Sequence, residues 1–266
     1  MRSSAGRWRT NNLRAKQMTT RWARVAWLAA CVCVLARGQN ARTPVVVELF
    51  TSEGCSSCPP ADQLLARLEK EQPVPAADIL VMEEHVDYWD QQGWRDPFSA
   101  PAYSQRQQEY AFAFTSEDVY TPEMVVDGRP GFTGSDGRHA LQSILDSASA
   151  PHASVSMRRK DNSAVSLSVS HFPAGTKSVE IVLAITEDAL ANNVLRGENA
   201  GRRLSHAALA RSLASVAQFD ARKSPEYNAD LPLRLMPEWN RQNLRVIAFV
   251  QDHSSRRILG AASLRP

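Results

Sequence analysis

The chain has 266 residues, 43% of them apolar and 22% charged, which supplies one or two packed cores and excludes disordered, collagen-like and membrane-filling classes. Its formal charge is +3, but eight basic residues (Arg2, Arg7, Arg9, Arg14, Lys16, Arg21, Arg24 and Arg37) precede residue 38 with no acid among them. Removing those eight from 31 leaves 23 basic against 28 acidic residues, about −5 for the body, so composition gives no reason to expect nucleic acid as a partner.

The basic leader runs into twelve apolar residues, 25–36, followed by small and polar ones: the pattern of a signal peptide over residues 1–38. Twelve residues fall short of the roughly 20 that cross a bilayer, so no stable span is expected after cleavage and the body is expected to be periplasmic or secreted. Met18 offers an alternative start. A lipoprotein box, Leu28-Ala29-Ala30-Cys31, is the minor alternative, weakened by the short run of six apolar residues between Arg24 and Cys31. Cleavage beyond Cys33 leaves Cys55 and Cys58 as one pair in a compartment where disulfides persist.

Residues 45–50 form a β-branched apolar run expected as a buried strand, and the cysteine pair follows five residues later. Residues 61–70 put Leu64, Leu65 and Leu68 on one helical face. A second strand is expected over 79–82, leading through Glu83 and Glu84 into His85-Val86-Asp87-Tyr88-Trp89-Asp90, then a helix over about 100–114. A strand entered through Pro122 ends at Val126, Asp127-Gly128 signals a hairpin turn, and a helix over about 136–147 follows. Beyond Pro151, alternating segments at 154–157, 164–169, 179–185 and 244–250 read as half-buried strands. The expected fold class is therefore an α/β domain over 42–150, then a mainly antiparallel, sandwich-like β domain over 151–266.

Two thiols separated by two residues close a small disulfide ring with little movement, and a thiolate at a helix start is stabilised by unpaired N–H groups and the helix dipole. The spacing also fits half a zinc site, two thiolates for Cu(I), or a structural staple. No second cysteine pair exists in the body to complete a zinc site, so neither a resident metal nor a cofactor is expected. Pro59 and Pro60 suit a first helical turn and set Cys58 at the helix boundary, while removing two donors that would otherwise favour a thiolate. In the redox reading Cys55, the more exposed, attacks a disulfide and Cys58 resolves the intermediate; the partner is a protein or a small thiol or disulfide.

The strand, Cys-x-x-Cys, helix unit followed by Thr121-Pro122 at the head of a strand resembles the thioredoxin-like fold, which implies a cis-proline at Pro122 opposite the cysteines, docking substrate backbone. More closely, residues 48–62 (ELFTSEGCSSCPPAD), with 85–90 (HVDYWD), Tyr120-Thr121-Pro122, Arg196-Gly197-Glu198-Asn199 and 258–262, resemble a bacterial family of exported proteins of unknown function, over nearly the whole mature chain.

If the first two strands run parallel, the loops leaving their carboxyl ends gather on one edge, bringing His85, Asp87, Tyr88, Trp89 and Trp94 toward Cys55. His85 then suits proton movement or metal ligation, Asp87 or Asp90 its orientation, and the aromatics a binding wall. Loop hydrogen bonds for His85 and Asp90 and core packing for Trp89 are the blander readings. The segment 196–206, dense in charges and turn formers, reads as a solvated connection or a recognition loop. Ser52 and Ser57 have no hydrolase elbow around them, and no phosphate-binding loop is present.

Overall fold

The first strand, β1 (Thr43–Thr51), is buried over its last seven residues, as a near-unbroken apolar run must be when both faces of its sheet are covered. The computed structural model that defines it describes residues 42–116 and 118–266; the expected signal peptide, with Met18, Cys31 and Cys33, lies outside the described residues. Helix α1 (Pro59–Glu71) carries the chain back to β2 (Ala77–His85), which runs parallel to β1 from Thr43 beside Ala77 to Thr51 beside His85. Helix α2 (Pro101–Ala113) follows. Strands β3 (Glu123–Val126) and β4 (Phe132–Thr133) then form a hairpin on the other side of β1, turning through Asp127 and Gly128, both with positive φ. Helix α3 (Gly137–Ala148) starts at an Asp136 cap that accepts the N–H groups of Arg138 and His139.

The later strands are β5 (Ser154–Arg159), β6 (Ala164–Ser170), β7 (Ser178–Glu187), β8 (Leu190–Asn193), β9 (Arg203–His206), β10 (Leu209–Asp220), β11 (Tyr227–Pro232), β12 (Leu244–Asp252) and β13 (Ile258–Leu264). The main sheet is mixed and eight-stranded, in the order β13-β12-β7-β10-β2-β1-β3-β4. Because side chains alternate along a strand, Val45, Val47 and Leu49 face α1 and α3, while Phe50 packs with Tyr110 of α2 on the opposite face. A three-stranded sheet, β11-β6-β5, contributes Val165, Leu167, Val169 and Leu231 to a second core against β7 and β12. The mixture of helices and strands expected of the chain is thus present, but a division between 42–150 and 151–266 cuts through the main sheet. Strands β7, β10, β12 and β13 extend what β1 to β4 begin, and β10 pairs Leu209 with Glu83 of β2. At this junction the Glu83 N–H at the end of β2 donates to the Ala208 carbonyl just before β10, which satisfies that edge group. No helix among the described residues is long and apolar enough to cross a membrane.

The α2 face carries buried charge. Arg106 Nε and the Tyr110 hydroxyl donate to the two oxygens of Glu48, and Glu84 Oε1 lies 3.8 Å from Arg106 Nε. Burial, then the adjacent Glu48, push the Glu84 carboxyl well above the usual carboxylate range, so one guanidinium and one proton balance the two acids. Arg106→Ala leaves Glu48 buried without its cation and is expected to cost about 3–5 kcal/mol in urea unfolding; a loss under about 1 kcal/mol would contradict this account.

Candidate functional site

At the end of β1 the chain turns through Ser52, Glu53 and Gly54, and the N–H groups of Cys55 and Cys58 donate to the carbonyls of Ser52 (3.2 Å) and Cys55 (3.3 Å). Cys55 and Cys58 are joined in a disulfide, their Cα atoms 5.4 Å apart. Cys58 stands at the helix boundary, yet its backbone is helical (φ −76°, ψ −39°) although Pro59 follows. Its carbonyl already accepts the N–H groups of Ala61 and Asp62, so the cysteine turn feeds straight into α1. The expectation that Cys55 is the exposed cysteine is corrected: both cysteines have no exposed surface, and Ser56 and Ser57 face solvent instead. Joined sulfurs also cannot act as thiolate ligands until the pair is reduced.

What covers the pair is the 196–202 loop. Asn199 Nδ2 donates to the carbonyls of Glu53 (2.8 Å) and Cys55 (2.9 Å), and Glu198 accepts the Ser56 N–H at 3.0 Å. Asn199 is fully buried, so this loop is a clamp on the cysteine turn rather than a solvated connection. Gly197 lies against Trp94; a Cβ on it would stand 3.1 Å from that of the tryptophan.

The Thr121–Pro122 peptide is cis. Pro122 accepts the Gly134 N–H at 2.9 Å, and a Cβ added to Gly134 would meet both Pro122 and Ala61 of α1 at 3.1 Å. Trp89 Nε1 donates to Thr121 Oγ1 at 2.7 Å, and the Trp89 Cβ lies 3.3 Å from where a Gly54 Cβ would stand. Cys55, Cys58, Trp89, Thr121 and Pro122 are therefore one neighbourhood. Asp87 is engaged elsewhere, accepting from Ser104 of α2, while Asp90 accepts from Asp96 N and Ser99. Neither orients His85. Tyr88 donates to Gln107 of α2.

His85 belongs to a buried chain of ionisable groups. Its Nδ1 meets Asp96 Oδ2 at 2.6 Å and its Nε2 meets Glu83 Oε1 at 3.1 Å. Glu83 Oε1 also receives His206 Nδ1 at 2.7 Å, and His206 Nε2 reaches Glu53 Oε1 at 3.1 Å. Trp94 Nε1 and Asn192 Nδ2 donate to the other oxygen of Glu53, each at 2.9 Å. Burial alone would lower the two histidines, but the carboxylates outweigh it: His85 is held well above its usual value and His206 at about 9. Burial likewise opposes the charge on Glu83, yet hydrogen bonds from His206 and His85 hold it down at about 2. Asp62, whose carboxylate accepts from Thr51 Oγ1 at 2.7 Å, goes the other way: burial, then Glu83, push it up to about 7.

The sequence profile of a family described as a protein of unknown function, DUF1223, matches residues 46–251. The chain belongs to the DUF1223 family. A crystal structure of a protein from Agrobacterium tumefaciens is 25% identical to this DUF1223 chain, with a TM-score of 0.64 over 84% of this chain and 95% of that one. Two weaker likenesses cover less than half of the chain and carry no argument. One is a domain of the outer membrane lipoprotein Omp28 from Porphyromonas gingivalis (9% identical, TM-score 0.24, 43% of this chain and 85% of that one). The other is the E. coli curli protein CsgC (11% identical, TM-score 0.19, 44% of this chain and 100% of that one). No curated protein matches significantly in sequence.

Glu53, Glu83 and Asp96 carry no local signal in this DUF1223 chain, because charged residues beside a strand look solvated, and Asn199 stands out only as part of the 196–206 segment. The one signal was density: ionisable residues crowd the ends of two apolar runs. The raised Asp62 has a thermodynamic consequence. An acid at about 3.8 unfolded and about 7 folded favours the native state below pH 4, and that contribution is lost as pH rises toward 7. Relative to wild type, Asp62→Asn should gain about 1.4 kcal/mol of unfolding free energy per pH unit between pH 4 and 7. Parallel pH profiles for the two proteins would refute the assignment.

Proposed function

We propose that this protein is an exported thioredoxin-like thiol–disulfide oxidoreductase, or a redox-active relative, whose Cys55–Cys58 disulfide is held closed by the 196–202 loop. The reading is carried by one observation: the disulfide opens a helix, with the cis Thr121–Pro122 peptide beside that helix's first turn. The site binds an extended thiol-bearing peptide or small thiol along Thr121 and Pro122, with Trp89 as the adjoining wall. A substrate thiolate attacks Cys55 Sγ, the sulfur–sulfur bond breaks, and Cys58 leaves with the electron pair. A second substrate thiolate then attacks the mixed disulfide and releases Cys55. Two electrons and two protons pass from substrate to protein, and the reverse sequence reduces a substrate disulfide. Asp62, four residues after Cys58 and titrating near neutral pH, exchanges a proton at this end of the helix.

Both cysteines are fully buried, so exchange requires the loop to lift. The same burial favours a second reading, in which the disulfide only staples β1 to α1.

Two measurements separate these readings. In the redox reading, Asn199→Ala removes the side chain's two hydrogen bonds to the cysteine turn, worth about 0.5–1.5 kcal/mol each, and speeds reduction by dithiothreitol about tenfold. Cys58→Ser then leaves Cys55 free to trap a thiol partner as a mixed disulfide. A potential below about −300 mV, with no reductase or isomerase turnover and no trapped species, would establish the staple instead.

A further inference from the structure

Glu83, His85 and His206 offer three donor atoms, Glu83 Oε1, His85 Nε2 and His206 Nδ1, within 4.8 Å of one another, all buried. The two histidines come from different elements, β2 and β9, and turn toward the same carboxylate oxygen, at 3.1 and 2.7 Å. What lies behind them is as telling. The far nitrogen of His85 meets Asp96 at 2.6 Å, and the far nitrogen of His206 meets Glu53 at 3.1 Å. Metal-binding histidines characteristically present this arrangement, one nitrogen to the ion and the other N–H to a carboxylate that fixes the ring. The remaining oxygen of Glu83 accepts the Ala207 N–H at 3.0 Å, which fixes that carboxylate as well.

From this arrangement we propose that Glu83, His85 and His206 form a binding site for one divalent transition-metal ion, with Zn²⁺ the ion of choice. Two imidazoles and one carboxylate are the ligand set of three-ligand zinc centres that leave a fourth position open. At bond lengths of about 2.1 Å, tetrahedral donors stand about 3.4 Å apart, so the three atoms need shift by only about 1 Å to close on an ion. A cavity of about 340 Å³ is lined by Asp87, Asp90, Arg95 and Asp96, the last of which meets His85 Nδ1. The site uses neither cysteine and is independent of the redox reading.

The test is titration of the purified full chain, stripped with chelator, with Zn²⁺, and in parallel with Co²⁺ as a spectroscopic probe. One ion per chain is expected, with the visible absorption of low-symmetry Co²⁺. The Cys55→Ser/Cys58→Ser double variant should bind equally. Asp96→Asn, which loosens His85 without removing a ligand, should weaken binding by about 10–100-fold. His206→Ala should abolish stoichiometric binding, and Glu83→Gln, nearly isosteric, tests the same point if the alanine variant does not fold. No stoichiometric uptake by folded wild-type protein would overturn the proposal, as would uptake that survives His206→Ala or Glu83→Gln, or that disappears with the cysteines.

Discussion

The rest of the structure depends on the buried carboxylate–imidazole chain Asp96–His85–Glu83–His206–Glu53. It joins four stretches of sequence: the turn after β1, the end of β2, the loop before α2, and β9. Glu83 is the hinge of the chain, because one of its oxygens serves both histidines. An isolated buried carboxylate would cost several kcal/mol, so each member is tolerable only while the others are in position. That makes the arrangement cooperative. The turn that carries the cysteines is tied into this chain through the Glu53 side chain, and to the 196–202 loop through its backbone.

This chain also accounts for the topology. Strand β2 ends in Glu83, Glu84 and His85, whose side chains point alternately to opposite faces. Glu83 and His85 feed the chain on the α1 face, while Glu84 meets Arg106 and Glu48 on the α2 face. A strand ending this way cannot be left at an open edge, where water and other chains would compete for its carboxylates. Strand β10 meets that edge where Leu209 pairs with Glu83, and His206 and Ala207, just before it, deliver a ring nitrogen and a backbone N–H to Glu83. The second half of the chain is thus not an appendage to an α/β unit but the means by which the end of β2 is satisfied.

Much of the local structure was legible in the sequence. The apolar run of β1, the leucine face of α1, the prolines after Cys58 and the Asp127-Gly128 turn each carry a signal within a few residues, and each element lies where that signal put it. The approach of Trp89 to the cysteine turn is what the parallel pairing of β1 with β2 implies, whereas Thr121 was placed there only by the resemblance to the thioredoxin-like fold. What was not legible is long-range. Glu53 finds His206 at a separation of 153 residues, and Asn199 finds Cys55 at 144. Nothing local distinguishes a glutamate destined for burial from one facing solvent. Asp87 and Asp90 were the natural candidates to orient His85 because they are close in sequence, whereas Asp96, eleven residues on, lies at the right depth.

The same electrostatics bear on the cysteines. A thiolate at Cys58 would gain from the start of α1, but Pro59 and Pro60 remove two of its N–H donors, and no lysine or arginine partner is near in sequence to compensate. The neighbouring chain sets three carboxylates, Glu53, Glu83 and Asp96, against two histidines. These effects act in one direction: they favour neutral sulfur, as disulfide or protonated thiol, over thiolate. Sites built for strong oxidation stabilise the thiolate instead. In the proposed redox role, the clamp of Glu198 and Asn199, more than the intrinsic acidity of the thiols, would set the reactivity of the pair.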